Sequence, residues 1–317
     1  MEIQEDVRRL LDNGGSKADR LRCASCSQKI DCSDIPPFTG FVCPACGVEL
    51  VVPVSFGDYQ LCTILHKSRK AAVYMAQDCT LDRNVALKIP YEAEDKEYYH
   101  QCFSTLAQNA HPGILWVYKF AEIGQLCCGA LQYMDLGNCR NATELRRRFG
   151  CGWVLDKFLP VARALEKLAE NNKTHRDICP VNLLCSSAGE IRLTNMHPGA
   201  EDEWTEFPRH WRYQAPEALS GMEFSPASDI YSFSMAVYEV LCSVYPFRSA
   251  GTPDDLLELI NIQRPVFLSK LNPQMPDVLA EAVDAGLDPV PANRPTAHEF
   301  VKNMRKAMAI IMERELS

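Results

Sequence analysis

The sequence predicts an α+β protein in two parts, a small four-cysteine module followed by a larger body that is strand-rich first and helical afterwards. Three observations carry this expectation. Two Cys-x-x-Cys pairs stand near the N-terminus, strand-like alternation begins at about Phe56, and helical periodicity dominates after about Asn141. With 317 residues, 47% hydrophobic and 23% charged, the chain can bury a full core and one smaller module.

Charge narrows the function. The chain has 33 Lys+Arg against 41 Asp+Glu, a formal net charge of −8, which opposes the basic footprint of a nucleic-acid binder, so no nucleic-acid partner is expected. No stretch approaches the roughly 18 uninterrupted apolar residues of a membrane span. The opening residues MEIQEDVRRLLDNGG are too acidic and polar for a signal peptide. The expectation is a cytoplasmic protein with no membrane partner. Its 15 cysteines are too sparse for a disulfide scaffold and read as thiols or metal ligands.

The elements follow in order. Within residues 1–20, Ile3, Val7, Leu10 and Leu11 recur at helical spacing and Asn13-Gly14-Gly15 stops the helix, which could dock on the body or on a partner. Residues 21–55 are short and aromatic-poor, too small to bury a core without a staple. Cys23-Ala-Ser-Cys26 and Cys43-Pro-Ala-Cys46, separated by 16 residues, supply one: the spacing fits a four-thiolate zinc site, so Cys23, Cys26, Cys43 and Cys46 are the candidate metal ligands. Gly47 allows a left-handed turn after the second pair. Unliganded or redox-active pairs are the alternative, and Cys32 is a bystander. Six Lys+Arg against eight Asp+Glu in residues 1–55 leave this module no charge with which to grip phosphates, so its expected job is structural or protein contact. The body runs from 56 to 312. Pro273–Pro276 and Pro289–Pro295 read as loops, and Ala297 to Leu316 as a final helix.

Ordered landmarks then place the body. Val85-Ala-Leu-Lys88 lies on an expected strand, and His175-Arg-Asp177 is followed by Asn182 at the H-R-D-x-x-x-x-N spacing. Tyr213-Gln-Ala-Pro-Glu217, Asp229-Ile-Tyr-Ser-Phe and Asn293-Arg294-Pro295 come afterwards in order, with His111-Pro-Gly-Ile114 and Leu131-Gln-Tyr-Met134 between the first two landmarks. Together they resemble a eukaryotic-type protein kinase over roughly residues 56–310, and the four-cysteine module resembles a zinc ribbon. The resemblance implies a bilobal protein-kinase-like fold preceded by the ribbon, with an N-lobe over about 56–132 and a C-lobe over about 135–312. It also implies an ion pair between Glu217 and Arg294.

The same resemblance assigns roles. Asp177 takes the catalytic-base position, Lys88 the lysine that pairs with phosphates, and Asn182 a metal-ligand position. Val73, Ala86, Gln132, Met134 and Leu184 fall around the adenine, Asn195 replaces the metal-binding aspartate, and the implied cofactors are ATP with Mg or Mn. Leu106, Val117, His175 and Met196 fall at the positions that stack between kinase lobes.

Other parts depart from the family. The glycine-rich loop is Leu65-His-Lys-Ser-Arg-Lys-Ala-Ala-Val73, with His66, Ser68 and Ala71 at glycine positions; the D-F-G triplet is Asn195-Met196-His197. An amide in place of a carboxylate weakens binding of a hard divalent cation. Counting back from His111 puts Gln101 or Cys102 where a glutamate should orient Lys88. Cys179 stands for the lysine two residues after the catalytic aspartate, and His210 for a threonine before Tyr213. Thr205 reads as an ordinary loop threonine, and Glu201, Asp202 and Glu203 as a solvated acidic loop. The expected function is a pseudokinase, a binding or regulatory platform with weak or no phosphotransfer. The alternatives are an active Ser/Thr-type kinase acting on protein hydroxyls and a zinc-ribbon adaptor, and each implies other proteins as partners.

Overall fold

The computed structural model describes residues 2–23, 25–196, 210–273 and 275–316. They form two compact units, one of Met1–Ala107 with Trp116–Tyr133, the other of Gln108–Leu115 with Met134–Ser317.

The first unit is organised by a seven-stranded antiparallel sheet. Its strands are β1 (Ser16–Lys17), β6 (Val54–Phe56), β7 (Tyr59–Lys67), β8 (Ala71–Asp78), β9 (Arg83–Pro90), β11 (Leu126–Gln132) and β10 (Val117–Ile123), in that spatial order. Alternation explains the strands: in β7 and β8 the residues facing the core, such as Tyr59, Leu61, Tyr74 and Ala76, are buried while their neighbours are more exposed. Helix α2 (Lys96–Gln108) buries Tyr99, Phe103 and Leu106, an i, i+4, i+7 stripe. Gly129 on β11 makes room for that helix, since a Cβ there would lie 2.3 Å from Phe103 Cζ.

Helix α1 (Glu2–Asp12) docks on this unit, with Leu10 in the sheet core beside Val54 and Phe56. The expected apolar stripe is only partly used: Leu11 is exposed, and the residue buried one turn before Leu10 is Asp6, which pairs with Lys67 of β7. Hydrophobic spacing alone could not reveal a buried carboxylate. Arg9 adds a guanidinium 4.3 Å from the Tyr91 ring centroid.

Between β1 and β6 lie two small hairpins, β2 (Arg20–Arg22) with β3 (Lys29–Asp31) and β4 (Gly40–Val42) with β5 (Glu49–Val51). Their own core is minimal, Cys23, Ile30, Cys32, Cys43 and Val52. Phe38 extends from this module to stack on Tyr74 of β8 at 5.8 Å between ring centroids, so the module packs against the main sheet.

Among its described residues the second unit is helical apart from the hairpin β12 (Leu183–Cys185) and β13 (Ile191–Leu193) and connecting loops. Helices α3 (Ala142–Glu170), α5 (Pro226–Cys242) and α9 (Ala297–Leu316) share an aromatic core in which Phe233 meets Phe158 and Phe300 at 6.0 and 5.5 Å. Helix α5 starts on a capping box between Ser225 and Ser228 with Pro226 in its first turn, and its residues 228–238 are all buried. Short helices α4 (Pro216–Leu219), α6 (Pro253–Ile262), α7 (Leu268–Leu271) and α8 (Asp277–Gly286) complete it, and the expected loop at Pro289–Pro295 contains a short 3-10 turn, Pro291–Asn293. Among the described residues no helix is long and apolar enough to cross a membrane.

Candidate functional site

The loop carrying Asp177 is set by a carboxylate beneath it. Asp229, buried in α5, accepts the backbone N–H of His175 at 2.6 Å and of Arg176 at 3.0 Å. Burial raises its carboxyl to about 6 against the opposing effect of those two bonds. Arg176 occupies the left-handed region at φ +74°, and its carbonyl is held by the Gln214 amide at 2.9 Å. The loop is thereby fixed in a conformation its sequence would not choose unaided.

Three polar side chains then form a chain. The Asn182 amide donates to Asp177 Oδ2 at 2.7 Å and to the Asp177 carbonyl at 2.8 Å, and the Asn195 amide donates to Asn182 Oδ1 at 2.8 Å. The carboxylate fixes both amide orientations. It offers only acceptors, so Asn182 must turn its NH2 toward Asp177, which leaves Oδ1 facing Asn195 and requires the Asn195 NH2 to point back. Asn195 sits at φ +60°, a region asparagine tolerates better than most residues.

On the other oxygen of Asp177, His210 Nδ1 lies 3.1 Å from Oδ1. His210 is anchored through the short 3-10 turn that follows it: the Tyr213 N–H donates to the His210 carbonyl at 2.9 Å, and the Tyr213 hydroxyl reaches Glu239 at 2.5 Å. Cys179 is fully buried beside the pair, and its ligand atom, one from Asp177 and one from His210 all lie within 4.8 Å of one another. Burial pushes the Cys179 thiol far up, with the charge of Asp177 adding to it. Sequence reasoning noted Cys179 and His210 as departures; their convergence on Asp177 needed the fold.

The remaining positions in this unit are Met134 and Met196, both buried, and Leu184, half-buried, bridged to Asn138. Glu217 and Arg294 form the expected ion pair, a two-pronged contact at 2.7 and 2.8 Å that Ser228 reinforces at 2.8 Å. His197, Glu201, Asp202, Glu203 and Thr205 lie outside the described residues.

In the first unit Lys88 stands on β9 opposite Gly129, with Val73 and Ala86 on β8 and β9 and Gln132 at the end of β11. The Lys88 ammonium lies 5.2 Å from the ring centroid of buried Tyr99, two to three residues before the positions expected to orient it. The buried spacing of 99, 103 and 106 was the signal that could have pointed to Tyr99.

The glycine-free turn between β7 and β8 is closed on itself. Ser68 Oγ accepts the N–H of Lys70 at 3.3 Å and of Ala71 at 3.0 Å, while the Ser68 N–H donates to the Ala71 carbonyl at 2.8 Å. The Lys70 ammonium reaches Asp95 at 3.2 Å. The backbone donors at 68, 70 and 71 are thus satisfied within the hairpin itself.

The four cysteines of the small module meet. Cys23 and Cys46 sulfurs lie 3.6 Å apart, and Cys26 and Cys43 sulfurs 3.7 Å apart. The two pairs have the same backbone: Ser27 N–H donates to the Cys23 carbonyl and Gly47 N–H to the Cys43 carbonyl, with Ser27 at φ +63° and Gly47 at φ +75°. The sequence marked the second left-handed position by its glycine and hid the first behind a serine. The backbone N–H of Ala45 brings the Cys43 thiol down to about 7, against the opposing effect of burial and with a lesser contribution from the Cys46 N–H. Cys32 lies in the module's core and outside the four-sulfur group.

Comparison with known proteins places this arrangement. The family profile for the protein kinase domain matches residues 61–304. The chain belongs to the protein kinase family. Its curated relatives include the DNA damage-responsive serine/threonine-protein kinase RqkA of Deinococcus radiodurans, 30% identical over 247 residues, covering 72% of this chain and 36% of that protein. The serine/threonine-protein kinase PknA of Mycobacterium tuberculosis is 27% identical over 254 residues, covering 75% of this chain and 58% of its own length. The serine/threonine-protein kinase PrkC of Bacillus subtilis is 26% identical over 233 residues, 69% of this chain and 36% of its own. The chain thus spans about a third to three-fifths of the length of these curated relatives. Protein kinases use ATP with Mg or Mn and act on protein substrates.

Proposed function

We propose that this kinase-family chain is a pseudokinase, a regulatory or docking platform for other proteins with weak or no phosphotransfer. The hydrogen bond from Asn195 to Asn182 Oδ1 carries the reading. In a transferring kinase these two positions supply oxygens to the metal ions that neutralise the phosphates. Here the Asn195 NH2 donates to Asn182 Oδ1, so the asparagine oxygen that would face a cation already accepts a hydrogen bond, while the Asn182 NH2 is turned to Asp177. The residues present do not fit the usual metal pair, since a hard divalent ion would have to displace the Asn195 NH2 and would gain a neutral oxygen in return. The self-closed Ser68 hairpin argues the same way, because phosphate binding draws on the backbone donors that Ser68 and Ala71 occupy.

Lys88, Asp177 and Asn182 keep their family identities, which supports the active Ser/Thr-type kinase as a second reading. Thermal-shift titration of the full chain with ATP in Mg, Mn and EDTA separates the two. The pseudokinase reading expects no metal-dependent shift. A clear metal-dependent shift, together with phosphotransfer abolished by Asp177→Asn, would overturn it.

The small module is proposed as a zinc ribbon. Sulfur separations of 3.6 and 3.7 Å are close to the edge of a tetrahedron with zinc–sulfur bonds of about 2.3 Å, so Cys23, Cys26, Cys43 and Cys46 fit the ion. Zinc there would supply the cross-link that a five-residue core cannot. The stacking of Phe38 on Tyr74 ties it to the main sheet, favouring a structural role over a detached adaptor.

A further inference from the structure

We propose that Asp177, Cys179 and His210 form a second transition-metal site, taking Zn2+ or an ion of similar softness. The site is separate from the four-cysteine module, and it shares Asp177 with the catalytic-base position, so it accords with the proposed lack of phosphotransfer.

The ligand types decide the class of ion. A thiolate and an imidazole with one carboxylate select zinc and its neighbours and disfavour Mg and Ca, which take all-oxygen sets. Three protein ligands leave a fourth tetrahedral position for water or an incoming group. The geometry is near to what the ion needs: Asp177 Oδ1 and His210 Nδ1 are 3.1 Å apart, close to an edge of a tetrahedron with bonds of about 2.0 Å, and all three ligand atoms fall within 4.8 Å of one another. To close the set the Cys179 sulfur must draw in from within 4.8 Å to roughly 3.5 Å from the other two ligand atoms.

The surroundings are those of a built site. Asp177 Oδ2 is held by Asn182, and of the two carboxylate oxygens Oδ1 lies nearer His210 Nδ1, at 3.1 Å against 3.4 Å. Such outer contacts fix ligand orientation at metal centres. His210 is anchored through Tyr213 to Glu239, and Cys179 is held on the loop by its carbonyl, which accepts the Asn182 N–H at 3.0 Å. Asp177 and His210 are each about one-fifth exposed, which gives an ion an entry path.

The protons balance simply. On binding, the Cys179 thiol releases its proton to solvent, and His210, whose Nδ1–H donates to Asp177 Oδ1 before metal enters, gives up that proton and carries its N–H on Nε2, so that Nδ1 can ligate. Aspartate and thiolate together neutralise the dication, so the buried sulfur becomes an anion only when its charge is compensated. With metal bound, Asp177 Oδ1 is no longer open to a substrate hydroxyl, and the ion joins the catalytic-loop position to the segment that begins at His210.

The test is metal stoichiometry on the full chain. Protein stripped with chelator, reloaded with Zn2+ or with Co2+ as a spectroscopic probe, and desalted should hold two ions. Cys179→Ser and His210→Gln should each lose one of them and the mixed sulfur–nitrogen component of the cobalt spectrum, retaining the four-sulfur component. The double variant Cys26→Ser/Cys46→Ser should show the reverse, and its failure to lose an ion would count against the ribbon and not against this site. His210→Gln, altered at the more exposed ligand, guards against misfolding of the Cys179 variant, and matched melting of the metal-free proteins checks it. Equal metal content in wild type, Cys179→Ser and His210→Gln, or a cobalt spectrum of four-sulfur type alone, would overturn the proposal.

Discussion

Asp6 in the first helix and Lys67 at the end of β7 form an ion pair across sixty residues of sequence, with the aspartate almost wholly buried. It ties α1 to the strand that leads into the Ser68 hairpin. Leu10 anchors the same helix in the sheet core, and the next residue of its apolar stripe faces solvent.

Asp6→Ala should therefore destabilise the protein by about 1–3 kcal/mol, between the value of a surface pair and that of a buried one. Leu10→Ala should cost about 2–5 kcal/mol, and Leu11→Ala, at an exposed site, less than about 0.5 kcal/mol. Urea unfolding of the three variants measures the order. A Leu11 effect as large as that of Leu10 would mean that the helix docks on a different face.

Asn195→Asp restores a carboxylate beside Asn182 Oδ1 and replaces an N–H donor with an acceptor, so the two oxygens repel until a cation sits between them. The expected outcome is a gain: ATP should raise the melting temperature of the variant in Mg or Mn and not in EDTA, whereas the wild-type chain should show no metal-dependent change. Differential scanning fluorimetry reads it directly. No gain would locate the deficit in the Ser68 hairpin.

Glu217 meets the Arg294 guanidinium in a fork buried on both sides. Glu217→Ala should cost about 3–5 kcal/mol because it strands a buried cation. Burial acts to raise the Glu217 carboxyl, but Arg294, its own backbone N–H and Ser228 outweigh it and hold it below its ordinary 4.5. The pair's stabilisation is thus complete above pH 4.5 and is lost as pH falls through the lower native value. Asp229 acts in the opposite sense: raised from 3.8 to about 6, it contributes most below pH 3.8 and its contribution fades as pH rises through 6. Urea midpoints from pH 3 to 7 for wild type and Glu217→Gln separate them, since only the glutamate's part should vanish in the variant.

Removal of metal from the four-cysteine module should loosen residues 21–55 first. Chelation, or Cys26→Ser, should raise proteolytic cleavage in this segment while leaving the helical unit's protection intact, measured by limited proteolysis and mass spectrometry. Uniform cleavage along the chain would indicate that the module braces the entire fold.

Much of this arrangement was legible in the sequence, for identifiable reasons. The two Cys-x-x-Cys pairs stood out because four thiols at that spacing suit a metal, whereas the roles of Asp177 and Asn182 and the Glu217–Arg294 partnership came from the resemblance to the kinase family. What escaped were contacts made by unremarkable residues: Ser68 folding back on its own hairpin, Tyr99 beside Lys88, and Asp6 inside a helix read for its apolar positions. The meeting of His210 with Asp177 was hidden for another reason, since 33 positions separate them and neither residue's type implies the other.

The Ser68 hairpin also sets a rhythm. A turn whose donors at 68, 70 and 71 are all engaged, and whose ends are pinned by Lys67 to Asp6 and by Lys70 to Asp95, should exchange its amide hydrogens more slowly than an unbonded loop. Where a nucleotide lid breathes open with each turnover, this segment should stay protected over minutes of deuterium labelling, with or without ATP, and present neighbouring proteins with an unchanging ridge.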